Sequence, residues 1–519
     1  MPARRLDRRQ FLIATGATGL AVAAGCSSSD GSRAASTTTP ATIGPTDPAV
    51  AAAEAARPAT GAVVRRQLRA AQATLDLGRQ RVETWAYDGV VPGPELRAVV
   101  GDTLEVVVRN DLPEDTTIHW HGLALRNDMD GVHDLTQGPI LPGDTFTYRF
   151  TAPHAGTYWF HPHMGLQLDR ALYAPLVIDE RDEPGAYDVD QVVVLDDWLD
   201  GIGTTPEQTF DGLTSMGMGD GSGGMGGMDH GGMGGMDGSA GMGGMGMFRS
   251  DLLGGDAGDV DYPMHLINGR PSSDRPTIEV PAGGRARLRF VNAGSDTAYR
   301  VALGGHRMTV THSDGFPVEP VEVDALLIGM GERYDVLVTP ADGAWPLVAL
   351  AEGKDLTATA VVRTAGSTAA APPADARPAE LDGRLLAYAD LRATDAVRLD
   401  TRDADVSEKI ELSGSMMPYS WAFDGAAFPD RPPIPIRQGQ RVRLAFENTT
   451  SMWHPIHLHG HTFRVGADAA GPRKDTVNVL PGETVTVEFD ADNPGQWMTH
   501  CHNTYHLERG MAMVMSYVP

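Results

Sequence analysis

At 519 residues, 41% of them hydrophobic, the chain is long enough to bury several cores, and its length suggests about three domains. The 68 Asp and Glu against 42 Lys and Arg give a formal charge of -26, which excludes nucleic acid as a natural partner. Glycine (61) and proline (36) are plentiful, as in turn-rich β proteins, and the two cysteines offer no disulfide if either is a ligand.

Residues 1–26 read as an export signal. Arg8-Arg9-Gln10-Phe11-Leu12 is a twin-arginine pattern, and the apolar run from Phe11 to Gly25 is too short to stay in a bilayer as a helix. The sequence Ala23-Ala24-Gly25-Cys26 resembles a lipoprotein cleavage box. Cys26 would then be lipidated, and this would be the chain's only membrane contact, on the outer side of the cytoplasmic membrane. The simpler alternative is secretion after an Ala-x-Ala site. Residues 27–58 are rich in Ser, Thr, Pro and Ala and read as a disordered linker.

An internal repeat organises the rest of the chain. Gly101 to Asn110 (GDTLEVVVRN) has counterparts at Gly283 to Asn292 (GGRARLRFVN) and Gly439 to Asn448 (GQRVRLAFEN). Each starts at Gly, alternates polar and apolar residues and ends at Asn, the pattern of a half-buried strand between turns. A second element recurs at 141–150 (LPGDTFTYRF), 330–338 (MGERYDVLV) and 480–489 (LPGETVTVEF). A third recurs at 156–163 (GTYWFHPH), 343–350 (GAWPLVAL) and 495–502 (GQWMTHCH). Short strands between Gly and Pro turns argue for three consecutive β-sandwiches, at 59–185, 186–365 and 380–519, with 366–379 as a linker.

The copies differ in what they carry. Copy one has His119-Trp120-His121 and His161-Pro162-His163; copy three has His457-Leu458-His459 and His500-Cys501-His502; copy two has Val348-Ala349-Leu350 instead and cannot bind metal there. Side chains at i and i+2 share one face of a strand, so His500 and His502 face one way and Cys501 the other. The four His-x-His pairs supply eight imidazoles, enough for three coppers held by two, three and three, between the outer copies. His454, Cys501, His506 and Met511 make a Cys, two His and a Met, the set of a blue electron-transfer copper. Ten of the 17 histidines belong to this constellation, and zinc has no use for so many imidazoles or for the thioether.

The motifs HWHG, the run from Asp130 to Gly143, GTYWFHPH, HPIHLHGHTF and HCH…H….M resemble those of the three-domain multicopper oxidases, across almost the whole mature chain. The resemblance implies an all-β fold of three consecutive cupredoxin-like Greek-key β-sandwich domains, four coppers per chain and dioxygen as electron acceptor. It implies type 1 copper on His454, Cys501, His506 and Met511, and type 2 copper on His119 and His457. The type 3 coppers would sit on His121, His161 and His502, and on His163, His459 and His500. Electrons would pass from type 1 through Cys501 to His500 and His502. Asp130 matches a family acid near the cluster, though an Asp-Gly turn is the bland reading. Many bacterial members place a Glu directly after the second type 1 His. Here Leu507 stands there and Glu508, a second candidate for the proton relay, comes one later.

For the donor, the informative stretch is the insert at 214–247, with Met216, Met218, Met225, Met228, Met233, Met236, Met242, Met245 and Met247 among glycines, and His230. Thioethers select Cu(I). Collection of cuprous ions is the favoured reading, and a bland disordered loop is the alternative. Met452, two residues before His454, supports it. Cuprous oxidases of the family usually have Asp four residues before that His, where this chain has Thr450. Cu(I) oxidation in copper tolerance is therefore expected. The alternatives are laccase-type oxidation of phenols and a non-enzymatic copper-buffering lipoprotein. A monomer is expected. His133, His154, His265, His306, His312 and His461 lack ligand spacing and read as structural, with His133 and His461 near the site motifs.

Overall fold

The computed structural model describes residues 41–181, 183, 186–215 and 248–519. The signal, Cys26, the first part of the linker and all nine methionines of the insert lie outside the described residues. Among the described residues no helix is long and apolar enough to cross a membrane.

Three pairs of sheets follow one another in the chain. In copy one, a sheet ordered Gln80–Tyr87, Val63–Leu77, Thr103–Asp111, Thr145–Thr151 faces one ordered Leu96–Val99, Ala174–Asp179, Gly156–His161, His119–His121. Copy two pairs a seven-stranded with a five-stranded sheet, and copy three a six-stranded with a five-stranded one. The three recurring elements occupy the same place each time. The first is a central strand that runs parallel to its predecessor and antiparallel to the second element, as Arg441–Asn448 does with Val406–Met416 and Thr484–Asp490. The third lies in the opposite sheet.

The Asn that ends each first element explains why it recurs. Asn110, Asn292 and Asn448 are buried, and their side-chain amides donate to Ile140 O, Ile328 O and Val479 O. Their backbone carbonyls accept from Gly143, Gly331 and Gly482, the glycines of the second element. One residue thus fastens strand, turn and second element together, and satisfies buried backbone groups that would otherwise be orphaned. Each copy encloses its own apolar cluster, and that of copy three contains Cys501, Met511 and Met452. Copy two fills the ligand positions with Val348, Ala349 and Leu350, all buried. They act as core there, where each fully buried branched side chain contributes about 1.5–3 kcal/mol.

One expectation is corrected. The linker reading of 27–58 fails at its C-terminal end, because Pro48–Ala55 is a helix. Asp47 caps it by accepting from Ala49 N, and Pro48 occupies its first turn, where no backbone donor is missed. Val50 is buried, Glu54 accepts from Thr151 N, and Ile43 N donates to Tyr517 O. Composition signalled disorder, but a capped run of alanines with two apolar anchors docks on the outer copies.

Candidate metal centre

Strand register brings the imidazoles together. His119 lies opposite His161 in copy one, and His457 lies opposite His500 in copy three, so each His-x-His pair sits beside its partner pair. The two copies then meet face to face. The His119 and His459 rings stack at 3.7 Å, and those of His121 and His457 at 3.8 Å. Three groupings result: His119, His121 and His457; His121, His161 and His502; His163, His459 and His500. Exchanging copies one and three by the sequence repeat turns the second grouping into the third.

Six of the eight rings are oriented by one nitrogen. The Nδ1 atoms of His119, His457, His161 and His500 lie 2.8–3.0 Å from the carbonyls of Asp130, Asp475, Pro162 and Cys501. His459 Nδ1 is 3.0 Å from Asp130 Oδ2, and His121 Nε2 is 3.1 Å from Asp475 Oδ1. Since these partners are acceptors, those nitrogens carry the protons, and the opposite nitrogens present lone pairs inward. Nε2 of His119 then faces Nε2 of His457 at 3.4 Å, and Nε2 of His459 faces that of His500 at 3.1 Å. His121 Nδ1, His161 Nε2, His163 Nε2 and both nitrogens of His502 are buried without a protein partner. Buried lone pairs aimed at one another are unfavourable unless a cation lies among them. The donor set therefore fits metal, and soft imidazole-rich sets fit copper. Burial first, and then the neighbouring rings, push His161, His163, His459 and His502 well below the usual histidine range, so they stand neutral and ready to ligate.

Cys501 points to the other face, as strand alternation requires. Its Sγ lies 3.6 Å from His454 Nδ1 and 3.5 Å from His506 Nδ1, and these two nitrogens are 3.2 Å apart. The chain closes this pocket with the short helix Thr504–Arg509, capped by the Asn503 side chain at Tyr505 N and His506 N. Gly510, at φ 114°, ends the helix in the left-handed region and turns the chain back, so that Met511 O accepts from Cys501 N. Met511 is fully buried in the same apolar cluster. Burial pushes the Cys501 thiol up.

Multicopper oxidase family profiles match residues 69–183, 248–367 and 401–519. The multicopper oxidase MmcO of Mycobacterium tuberculosis is 46% identical over 99% of this chain and 97% of its own. The chain belongs to the multicopper oxidase family. A copper resistance protein A homolog of Pseudomonas syringae pv. tomato is 32% identical over 82% of this chain and 87% of that protein. Among solved structures, a multi-copper oxidase from Pseudomonas thermotolerans matches with a TM-score of 0.64 and 27% identity, over 88% of this chain and all of that one. The laccase of Botrytis aclada matches with a TM-score of 0.66 and 25% identity, over 88% of each chain. The oxidase is thus a copper-dependent oxidoreductase built of three cupredoxin-type domains.

Of the acids singled out in this oxidase, Asp130 is fully buried between two of the rings. Its Oδ1 lies 3.2 Å from His119 Nδ1 but accepts no hydrogen bond, because that N–H is aimed at the Asp130 carbonyl. Glu508 is half-buried on the helix that carries His506 and joins none of the histidine groupings. Met452 belongs to the same apolar cluster as Cys501 and is closed off from solvent. Of the two histidines near the site motifs, His461 touches the His459 carbonyl at 3.2 Å, while His133 Nδ1 lies 3.3 Å from Oδ2 of its neighbour Asp134.

Sequence reasoning missed contacts made to the oxidase's candidate ligands, and named Thr450 only as a departure from the family pattern. Asp259 Oδ2, from copy two, lies 3.0 Å from His506 Nε2 and accepts from Tyr419 OH at 2.7 Å. Thr450 Oγ1 lies 2.8 Å from His454 Nε2, at the position where Asp was expected. Asp475 contacts His121 and His457. Burial alone would raise its pKa, but the Arg333 guanidinium overrides this and holds the carboxyl well below the usual range. Only Thr450 carried a signal in the sequence, through its spacing from His454.

Proposed function

We propose that this chain oxidises Cu(I) to Cu(II) and passes the electrons to dioxygen. His454, Cys501, His506 and Met511 would be the type 1 ligands, His119 and His457 the type 2 pair, and the two mixed triads of histidines the type 3 ligands. Copper at these positions supplies one-electron redox chemistry on one face of the strand Gln496–Cys501 and reduction of dioxygen to water on the other. The chain joins the two faces covalently, since Cys501 is flanked directly by His500 and His502. Asp130 holds the His459 Nδ1 proton at its Oδ2 and leaves Oδ1 free, so it is the carboxyl placed to carry protons toward that side.

The observation that carries the choice of donor lies at the outer edge of the type 1 site. Both histidines are 0% exposed, and their outward Nε2 atoms are already taken by Thr450 and Asp259. Among the described residues no imidazole edge is left exposed for an aromatic donor to contact, whereas the carboxylate of the half-buried Asp256, on the segment bridged to Met452, favours a cation. The methionines of residues 216–247 would deliver that cation by their affinity for Cu(I). Similarity to copper resistance proteins supports the same donor. Export by the twin-arginine route and lipidation of Cys26 belong to this proposal and rest on the residue pattern alone.

Similarity to laccases, such as laccase-2 of Botryotinia fuckeliana at 29% identity, favours the second reading, phenol oxidation. Oxygen consumption with Cu(I) and with a phenol, measured with and without residues 216–247, decides between them. Loss of Cu(I) turnover on deletion, with phenol turnover unchanged, supports the proposal. Equal Cu(I) rates for both proteins, with strong phenol turnover, contradict it.

A further inference from the structure

We infer that Arg333, at the start of the strand Arg333–Val338 in the second domain, is a positioning residue for the trinuclear centre, acting through Asp475 on His121 and His457. The inference rests on the ligand assignment proposed above.

Arg333 belongs to the second recurring element, whose copies in domains one and three make ordinary surface turns. In copy two the same turn is driven inward. Arg333 and Asp475 are both 0% exposed. The guanidinium grips the carboxylate with two teeth, Nη1 to Oδ1 and Nη2 to Oδ2, each at 2.7 Å. Its Nε also donates to Thr157 O at 3.0 Å and its Nη1 to Gly331 O at 3.1 Å, which holds the fork in one orientation. Beyond the fork, Asp475 Oδ1 faces His121 Nε2 at 3.1 Å and the Asp475 carbonyl faces His457 Nδ1 at 2.9 Å. These are the contacts that leave His121 Nδ1 and His457 Nε2 as the free, inward nitrogens. A carboxylate rotated by loss of the fork would release the His121 ring.

The backbone approach is equally close. A Cβ on Gly331, at φ +83°, would lie 2.9 Å from both His121 Cε1 and His502 Cδ2. Only glycine lets this turn touch the rings. Stability alone does not explain the arrangement. A buried ion pair contributes little relative to apolar residues of the same shape, because its desolvation offsets its attraction. A planar fork that fixes a carboxylate, which fixes an imidazole tautomer, is how proteins orient metal ligands from behind. Domain two, which binds no metal at its own ligand positions, would thus set the geometry at the centre made by its neighbours.

The test uses the full-length, copper-loaded protein and two variants, Arg333→Lys and Arg333→Gln. Lysine keeps the charge and loses the fork; glutamine loses both. Copper per chain, the blue absorption of type 1 copper, the type 2 electron paramagnetic resonance signal, and kcat and KM for Cu(I) are compared. The expected result is a disturbed cluster, read as an altered or chelator-labile type 2 signal together with a type 3 copper made visible to electron paramagnetic resonance as its pair uncouples, and a kcat lower by on the order of 10–100-fold. The blue absorption and KM should stay at wild-type values, which also shows that the chain has folded. An unchanged type 2 signal and kcat would overturn the inference. So would joint loss of the blue and type 2 signals in both variants, since Arg333 would then hold the fold and not the centre. A wild-type protein with no type 2 signal would overturn the ligand assignment itself, and this inference with it.

Discussion

Replacing Asp259 with asparagine changes one buried oxygen at the outer edge of the type 1 site. The side chain is fully buried, and Oδ2 takes the His506 ring at 3.0 Å and the Tyr419 hydroxyl at 2.7 Å. A hydrogen bond to a charged acceptor contributes about 1.5–3 kcal/mol and one to a neutral acceptor about 0.5–1.5 kcal/mol. An amide oxygen in the same place therefore weakens the pull on the His506 proton by about 1–1.5 kcal/mol. The ring becomes a poorer donor through Nδ1, and a negative charge is lost nearby; both favour the reduced metal. For one electron this corresponds to a rise in reduction potential of roughly 40–65 mV. Redox titration of the blue absorption reads it directly. Tyr419→Phe supplies the opposite sign: it leaves the charge, frees Oδ2 for His506 alone, and should lower the potential. If the two variants move the potential the same way, or neither moves it, Asp259 does not act through His506.

Cys501→Ser should abolish the blue absorption and all turnover while leaving about three coppers per chain, because the histidine groupings lie on the opposite face of the strand. Burial, with Asp259 and Asp296 nearby, raises the Asp256 pKa to about 6, against a backbone hydrogen bond from Gly258 that lowers it. Its charge is present above that pH and lost below, so the KM for Cu(I) should rise as pH falls through about 6; Asp256→Asn should have a high KM at every pH, and a wild-type profile in that variant would exclude the residue. Deleting residues 41–58 removes the Ile43 and Val50 anchors and the Glu54 contact to Thr151, together about 3.5–7.5 kcal/mol, and should lower the thermal midpoint by several degrees in calorimetry. Cys26→Ser should move the protein from the membrane fraction to the soluble envelope fraction; an unchanged distribution removes the lipid anchor.

The groupings of histidines around Cys501 and between the outer copies were legible because strand alternation is rigid. Once His500-Cys501-His502 is extended, its two faces follow, and the paired His-x-His motifs in the first and third copies have nowhere to go but to each other. The recurring Asn and Gly marked strand ends for the same reason: each performs one backbone task that few residues can. What the sequence did not disclose is what domain two contributes. Val348, Ala349 and Leu350 offer no metal donor at its own ligand positions, and this made it look like a spacer. Asp259 and Arg333 reach the outer domains' ligands only through contacts separated by 247 and 142 residues, and a lone Asp or Arg has no periodicity to betray such a contact. The helix Pro48–Ala55 was hidden by composition, since alanine and proline serve a linker as readily as a capped first turn.

The most direct measurement is anomalous X-ray diffraction at the copper edge on crystals of the reconstituted protein. Four sites are predicted per chain: one beside Cys501, His454 and His506, and three among the eight paired histidines between the first and third domains. Copper absent from the space enclosed by His119, His161, His457 and His500, or a single metal in its place, would contradict the account.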